Sequence, residues 1–235
     1  MARERPLSEK IYRRIREDIM ACVLAPGESC SEGQLAHVYG VSKAPVRWAL
    51  AALSREGLVT ARPRQGHTVA PVTIESVNDL FGVRMILEPA AARLAAGHAD
   101  VERLEQLHAR VTEGCIFGDR RSERRWVDAN NQFHIEITRA VGNERLTRIT
   151  TAILEESQRV MHVLISVFEE VRSMGPDHRN LIAALAAGDG ERAAQVAGEH
   201  LENSRRIVMD ALLGSATKRR MTARGEFAAS RGAGR

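Results

Sequence analysis

The sequence predicts a mainly α-helical protein of two domains: a small N-terminal domain that adds a β-hairpin to its helices, and a larger all-helical antiparallel bundle. Three observations lead to this prediction. The segments 58–62 and 67–71 alternate apolar and polar residues, as strands do. Residues 75–213 repeat apolar residues at helical spacing. The charge also changes, because residues 1–72 hold 11 Lys and Arg against 7 Asp and Glu, whereas residues 73–216 hold 17 against 22.

Composition limits the class of protein. The 235 residues are 44% hydrophobic and 27% charged, which is ordinary for a globular protein with a buried core. No run of about 18 apolar residues is present to span a membrane, and the N-terminus lacks an apolar signal region. Cys22, Cys30 and Cys115 are odd in number and lack metal-type spacing, which argues against a disulfide framework. We therefore expect a cytoplasmic protein that is not attached to a membrane.

Three predicted helices open the chain. The first spans residues 8–21, where isoleucines recur every four positions. Ser31 and Gln34 have the spacing of a capping box and start the second helix. Gly40 supplies a turn, and Ser42 is placed to cap the third helix. Two short helices around such a turn are typical of a helix-turn-helix.

A β-hairpin follows the third helix. Its two alternating segments flank residues 63–66, which form a tip short enough to approach a phosphate backbone. A helix-turn-helix followed by such a hairpin is a winged helix-turn-helix, in which the hairpin is the wing. We assign this domain to residues 1–72.

The winged helix-turn-helix predicts binding to double-stranded DNA. In this motif, the N-terminal residues of the second motif helix meet base edges and phosphates in the major groove. The basic charge of the domain would attract phosphates through counterion release. A solvated surface without a partner is the alternative, and the coincidence of basic charge with the motif favours DNA. Arg47 is the strongest candidate. The predicted contacts are Ser42, Lys43, Ala44 and Arg47 of the helix, and Arg64, Gln65, Gly66 and His67 of the wing.

The second domain is predicted over residues 73–213. Gly, Asp and Asn residues separate its helical segments, as expected for the corners of an antiparallel bundle. The tail 214–235 is basic and lacks apolar periodicity, so we expect disorder there, either as a solvated extension or as a source of nonspecific DNA affinity. The six predicted helices are 75–97, 100–114, 122–141, 143–171, 176–187 and 190–213.

Three histidines of the bundle can converge. Asn130 and His134 are four residues apart and share one helix face. His178 begins the fifth helix and His200 lies in the middle of the sixth, and two antiparallel helices can bring these positions to the same level. Imidazole nitrogen suits Zn, Ni or Cu, with positions left open for a small ligand. Taken separately and on spacing alone, each histidine is better interpreted as a partly buried polar residue than as a metal ligand.

Arg84 and Glu88 lie four residues apart on the first bundle helix, among residues that are otherwise apolar. An inward-facing Arg84 could bind a ligand carboxylate through its planar fork while Glu88 holds it in place. An intrahelical salt bridge without a ligand explains the spacing equally well.

Both halves together resemble the GntR family of bacterial transcription regulators, specifically the FadR-type branch, whose effector domain is called FCD. The likeness covers residues 8–213. In the first domain it rests on PGESCSEGQLAHVYGVSKAPVRWALAALSREGLV and PRQGHTVAP. In the second domain it rests on VRMILEPAAARLAA, NQFH with the following AVGN, and DHRNLIAALAAGD leading to EHL.

The resemblance implies a homodimer that reads a palindromic operator, and a helical domain that binds a small organic acid, often through a metal. The family's metal ligands, one Asp or Asn and three His, match Asn130, His134, His178 and His200. The expected cofactor is a divalent ion, Zn or else Ni. Arg84 and Asn130 are the expected contacts of a carboxylate effector.

Departures from the family pattern affect both sites. Lys43, Ala44 and Trp48 stand where relatives usually carry Arg, Thr and Glu, so the operator sequence is not transferable. Asn130 stands where many relatives carry Asp, and a neutral amide binds a divalent cation more weakly than a carboxylate does.

The predicted function is a ligand-responsive transcription regulator, a repressor rather than an activator, and not an enzyme. Segment 71–77 is the expected hinge between the two domains. Two alternatives remain open at this point: a metal-dependent hydrolase or lyase, and an architectural DNA-binding protein with an inert helical dimerisation domain.

Overall fold

The computed structural model describes residues 6–64, 66–116, 118–165 and 177–232, and the chain divides after Val72 into two compact units. The described residues of unit 1 form three helices and a small antiparallel sheet in which β3 lies between β1 and β2. Its elements are α1 (Leu7–Met20), β1 (Ser29–Cys30), α2 (Glu32–Tyr39), α3 (Lys43–Arg55), β2 (Val59–Arg62) and β3 (Gly66–Val69).

The core of unit 1 is formed where α1 packs on α3. Ile15 and Ile19 of α1 and Leu50 of α3 are fully buried, because their helical spacing places them on facing sides of the two helices. The two-residue strand β1 pairs with β3, Cys30 opposite His67, and the sequence did not predict it because two residues are too few to show an alternating pattern.

The local signals at the turn act largely as predicted. Ser31 Oγ accepts a hydrogen bond from Gln34 N at 3.1 Å, and Gln34 Oε1 accepts one from Ser31 N at 2.9 Å, which completes the capping box. Gly40 ends α2 with a φ of 67°, a conformation that costs glycine little. Ser42 occupies the N-cap position of α3, but its side chain makes no capping hydrogen bond.

The wing connects β2 to β3 by a tight turn. Arg64 at its tip has a φ of 63°, which is uncommon for a residue with a side chain. Gly66 has a φ of 87°, and a Cβ atom there would lie 2.7 Å from the carbonyl oxygen of Cys30. Gly66 is therefore required by the close approach of β1. Gln65 lies outside the described residues.

Unit 2 is all-helical in its described residues. Its core joins residues of several helices, including the fully buried Phe133 and Leu185. No described helix is both long and apolar enough to cross a membrane. The helices are α4 (Ile74–Ala95), α5 (Val101–Thr112), α6 (Arg120–Ala140), α7 (Glu144–Ile165), α8 (Asp177–Ala186) and α9 (Gly190–Gly232).

Helix α9 corrects one expectation. The sequence predicts that the last helix ends at residue 213 and that the chain is disordered beyond it, whereas in the structure the helix continues through Gly232. The segment 214–232 contains no proline and holds four Ala and four Arg, so its backbone can extend a helix that already exists. Without apolar periodicity this segment has no apolar face to pack against another helix, but a helical backbone does not require such a face. The predicted end of the fourth bundle helix, at residue 171, lies outside the described residues.

Candidate DNA-binding surface and histidine cluster

The start of α3 forms an exposed polar surface on unit 1. Ser42, Lys43, Ala44 and Arg47 are all exposed, and the side chain of Arg47 keeps 70% of its accessible surface. Lys43, Ala44 and Arg47 belong to the first turns of α3. Helical geometry leaves them exposed, because the buried apolar residues of the same helix lie on the opposite face. These predicted contact residues are therefore accessible to DNA.

Arg47 is paired with an acid that the sequence analysis did not single out. Its Nε donates to Glu32 Oε1 at 2.9 Å, and its Nη2 donates to Glu32 Oε2 at 2.8 Å. The hydrogen bond from Arg47 holds the pKa of Glu32 below its usual value. Glu32 is the first residue of α2, so the pair connects the two motif helices. Fifteen residues separate the partners, and no local spacing rule reveals such a pair.

A groove of about 400 Å³ runs between α3 and the wing. His67, half-buried on β3, faces it from the wing side, and Arg47 and Arg55 face it from the helix. Arg55 was not predicted as part of this surface. Arg64 is exposed at the wing tip, and Gly66 is half-buried. The residues lining the groove are Arg47, Ala51, Ser54, Arg55, Ala61 and His67.

Three histidines converge in unit 2. His134 of α6, His178 of α8 and His200 of α9 are buried, and their candidate ligand atoms lie within 4.8 Å of one another. The ring centroids of His178 and His200 are 4.9 Å apart, and that of His134 is 5.5 Å and 5.3 Å from them. Antiparallel packing of α8 on α9 brings together two residues that are 22 positions apart.

The cluster has the chemistry of a metal site. Nε2 of His134 and both ring nitrogens of His178 are buried and make no hydrogen bond to any residue that the structure describes. A buried polar nitrogen without a partner is costly, and a metal ion would satisfy it. Two nitrogens at about 2.1 Å from one ion are at most about 4.2 Å apart, so donor atoms that lie within 4.8 Å of one another need approach only slightly to bind one ion. The three residues therefore fit a divalent ion that prefers nitrogen ligands.

Glu88 of α4 supports the cluster from behind. Its Oε2 lies 2.8 Å from Nδ1 of His134, and its Oε1 accepts a hydrogen bond from Nε of Arg84 at 2.6 Å. In a neutral His134 this contact places the proton on Nδ1 and leaves the lone pair of Nε2 facing the other two rings. From the sequence, the only role predicted for Glu88 is to hold Arg84 in place. Its contact with His134 depends on how α4 packs against α6.

Arg84 is buried and paired with Glu88, as in the salt bridge that the sequence analysis weighed against ligand binding. Its guanidinium also lies over the ring of Phe81, at 5.1 Å. Burial alone would raise the pKa of Glu88, but the nearby Arg84 and His134 outweigh it and hold that pKa below its usual value. Glu88 is thus a carboxylate between two nitrogen donors.

The surroundings keep two of the histidines neutral. Burial, followed by repulsion from nearby cationic groups, lowers the pKa of His200 to about 3. The pKa of His178 is also well below its usual value, first because of burial and then because of the other histidines. Phe133 stacks on His178 with centroids 4.0 Å apart and planes 9° from parallel, which fixes the ring orientation. Neutral imidazole is the form that binds metals.

A small cavity adjoins the cluster. Its volume is about 10 Å³, room for roughly one water-sized particle. Asn130 lies one turn before His134 on α6 and is half-buried, but it does not line this cavity. The structure thus brings together three of the four predicted metal ligands. The lining residues are Glu88, Ala92, His134, Ile137, Thr138, Leu181, Ala197 and His200.

His108 of α5 is a buried neighbour that the sequence analysis left unassigned. Its ring centroid lies 5.7 Å from that of His178, and its Nε2 accepts a hydrogen bond from Nε of Arg179 at 3.3 Å. Burial and the charge of Arg179 lower its pKa. It borders the cluster but is not one of the three converging residues.

Two protein-family models match the chain. The model described as bacterial regulatory proteins of the gntR family matches residues 7–69, and the FCD domain model matches residues 79–203. Together they cover both units.

Curated relatives and solved structures agree with these matches. The HTH-type transcriptional repressor RspR of Escherichia coli strain K12 is 25% identical over 197 residues, covering 84% of this chain and 86% of the relative. The HTH-type transcriptional repressor GlaR of the same strain is 26% identical over 215 residues, 87% of this chain and 96% of the relative. The structure of E. coli McbR/YncC has a fold like that of this chain, with a TM-score of 0.73 at 22% identity over 88% of this chain and 98% of that one. RspR and GlaR are named as transcriptional repressors, and the chain belongs to the GntR family, with an N-terminal GntR helix-turn-helix and a C-terminal FCD domain.

Proposed function

We propose that this protein is a metal-dependent transcriptional repressor that binds a palindromic operator as a homodimer. Its affinity for the operator changes when a small organic acid binds in unit 2. The observation that carries the proposal is the buried convergence of His134, His178 and His200 in an FCD domain joined to a winged helix-turn-helix. Binding to DNA places its action in the cytoplasm. RspR and GlaR are named as repressors, which favours repression here.

The proposed cofactor is Zn, with Ni as the alternative, because the three converging donors are imidazoles. His134, His178 and His200 would hold the ion, with Asn130 as the proposed fourth ligand. Asn130 would have to turn toward the cluster, since it does not line the cavity. When bound, the metal would offer open positions to the oxygens of a carboxylate. Arg84 would add positive charge nearby, although Glu88 already engages its guanidinium.

Effector binding requires unit 2 to open. The cavity has room for about one water-sized particle, so an organic acid must displace side chains of α4, α6 or α9 to reach the histidines. Such a displacement can alter DNA binding only if the acid binds the two states with different affinities. Helix α4 carries Glu88 and begins at Ile74, two residues after unit 1 ends. A shift of α4 would therefore reach the connection to unit 1 directly.

The proposed homodimer is supported by an exposed apolar face on α4. Ile86 is 73% exposed, Leu94 58% and Val83 39%, and their spacing places them on one side of the helix. Large apolar side chains exposed together favour association with another surface. A second copy would cover them and supply the second winged helix that a palindrome needs.

The metal proposal is tested by elemental analysis of protein purified without chelator. We expect about one Zn or Ni per chain in the wild type, and at least a tenfold lower metal content in the His178→Ala and His200→Ala variants. His98→Ala is the matched control, because His98 is an exposed histidine of the same unit and should leave the metal content unchanged. Circular dichroism would verify that each variant is folded. Equal metal in all four proteins would refute the site.

The regulatory proposal is tested by titrating small mono-, di- and tricarboxylic acids against the complex with DNA, for metal-loaded and metal-free protein. The DNA is a duplex that the wild-type protein enriches from a random pool. We expect at least one acid to change the affinity about 5- to 150-fold, which corresponds to typical allosteric coupling, and only when metal is bound. An equal response of the His200→Ala variant would contradict the role of the histidines. No response to any acid would favour an architectural DNA-binding protein.

A further inference from the structure

The pairing of Glu32 with Arg47 bears on how the protein distinguishes DNA sequences. We propose that Glu32 is a specificity-determining residue, which holds Arg47 so that its outer edge reads a guanine and which weakens the contribution of Arg47 to nonspecific phosphate binding. This inference rests on the proposed role of Arg47 in contacting DNA.

The geometry of the pair leaves one edge of the guanidinium available. Nε and Nη2 of Arg47 both point at the Glu32 carboxylate, with distances of 2.8 to 3.1 Å. A guanidinium has five N–H donors in one plane. This contact uses the N–H of Nε and one N–H of Nη2, which lie on one side of the group. One N–H of Nη1 points to the opposite side, and the second N–H of Nη2 and the other N–H of Nη1 remain on the outer edge. That edge presents two parallel donors, the arrangement that matches O6 and N7 of guanine in the major groove.

Glu32 is well placed to fix the direction of Arg47. It is the first residue of α2, directly after the capping box of Ser31 and Gln34, so its backbone is held by the helix start. Its side chain is 25% exposed, whereas that of Arg47 is 70% exposed. The more buried acid thus orients a long, exposed side chain that could otherwise adopt many rotamers. Orienting the side chain in advance lowers the entropy lost on binding.

The charge of Glu32 also lowers the affinity for DNA that lacks the recognised sequence. Its carboxylate lies on the surface that would face the phosphates, where like charges repel. The pair is neutral as a unit, so Arg47 contributes less to sequence-independent attraction than an unpaired arginine would. Specificity is a difference between two affinities, and reducing the nonspecific one increases it. The hydrogen bond from Arg47, and to a smaller extent the charges of Arg47, His67 and Lys43, hold the pKa of Glu32 below its usual value, which favours the charged carboxylate.

The experiment is a selection of DNA from random duplexes, followed by sequencing, with the full-length protein and four variants. Glu32→Gln removes the charge, and Glu32→Asp keeps the charge but is one methylene shorter. Arg47→Ala removes the reading side chain. Glu9→Gln is the control, because Glu9 pairs with Arg13 on the surface of α1 in the same unit. A second readout is the salt dependence of the affinity for a scrambled duplex.

We expect the wild type and Glu9→Gln to enrich guanine at one position of each half-site, and Arg47→Ala to lose that preference. Both Glu32 variants should reduce the preference for guanine at this position at least fivefold, and no other position should change. Glu32→Gln alone should steepen the salt dependence, by about one in the slope of log affinity against log salt concentration.

The outcomes separate this inference from the role of Arg47 itself. If Arg47→Ala enriches the wild-type sequences, the proposed reading by Arg47 fails and the inference fails with it. If Arg47→Ala loses the guanine but both Glu32 variants keep it, Arg47 reads DNA without help and only the inference is overturned. A wild-type preference for another base at the position that Arg47→Ala affects would also overturn it.

Discussion

Arg47→Ala is expected to reduce the affinity for operator DNA at least about 25-fold. The side chain is exposed at the start of α3 and carries two parallel donors on its free edge. Loss of one bidentate base contact weakens binding about fivefold or more, and a dimer on a palindrome loses two such contacts. Fluorescence anisotropy with a labelled operator duplex, at a fixed salt concentration, measures the change.

The matched control for this prediction is Arg13→Ala. Arg13 is an exposed arginine of α1 that pairs with Glu9, so its removal takes the same charge from unit 1 without altering α3. We expect a small loss that is equal for operator and scrambled DNA. If Arg47→Ala lost no more operator affinity than Arg13→Ala does, the assignment of α3 as the helix that reads DNA would be wrong.

Glu88→Ala is expected to lower the free energy of unfolding of unit 2 by about 3–5 kcal/mol. The substitution leaves Arg84, a residue that is 7% exposed, without its carboxylate partner in the protein interior. It also removes the partner of His134 Nδ1, so metal affinity should fall about 10- to 100-fold as the ring loses its orientation. The two effects have one origin, the position of Glu88 between two nitrogen donors.

Denaturant unfolding of a Trp48→Phe background measures this change in unit 2. The chain has two tryptophans, so the remaining fluorescence comes from Trp126, which is buried in α6 and donates a hydrogen bond to the carbonyl of Val111. Two controls separate the causes. Glu202→Ala breaks an exposed pair with Arg205 and should change stability little. The double variant Arg84→Met, Glu88→Leu replaces the buried pair by apolar residues and should recover much of the stability.

An unfolding free energy of Glu88→Ala close to that of the Glu202→Ala control would contradict the argument. It would mean that Arg84 finds another partner or reaches water when Glu88 is absent. Recovery of stability in the double variant without recovery of metal binding would separate the two tasks of Glu88.

The resemblance to GntR regulators and the mainly helical fold class, both predicted from the sequence, are confirmed by the family matches and the structure. The reason is that the signals are local. The isoleucines of α1 at four-residue spacing, the capping box of Ser31 and Gln34, and the turn at Gly40 each specify backbone conformation over a few residues. The two-residue strand β1 and the extension of α9 past residue 213 escaped prediction, because neither depends on an apolar repeat.

The residues predicted for the metal site include some that the structure brings together and one that it does not. Sequence spacing and the family resemblance predict His134, His178 and His200 as metal ligands, and the structure brings all three together. Asn130, nominated by the same reasoning, lies half-buried on α6 and does not line the cavity. Helical spacing places a residue on a face, but the rotation of that face toward its neighbours depends on how the helices pack.

The amino-acid sequence by itself determined the mainly helical fold class of this protein, its N-terminal helix-turn-helix and the residue types able to bind a metal. Those properties follow from repeats and caps within one or two helical turns. Only the tertiary structure decided that Glu32 holds Arg47, that Glu88 lies between Arg84 and His134, and that the cavity beside the histidines is small. Each of these depends on contacts between helices distant in sequence, and the packing of whole helices sets those distances.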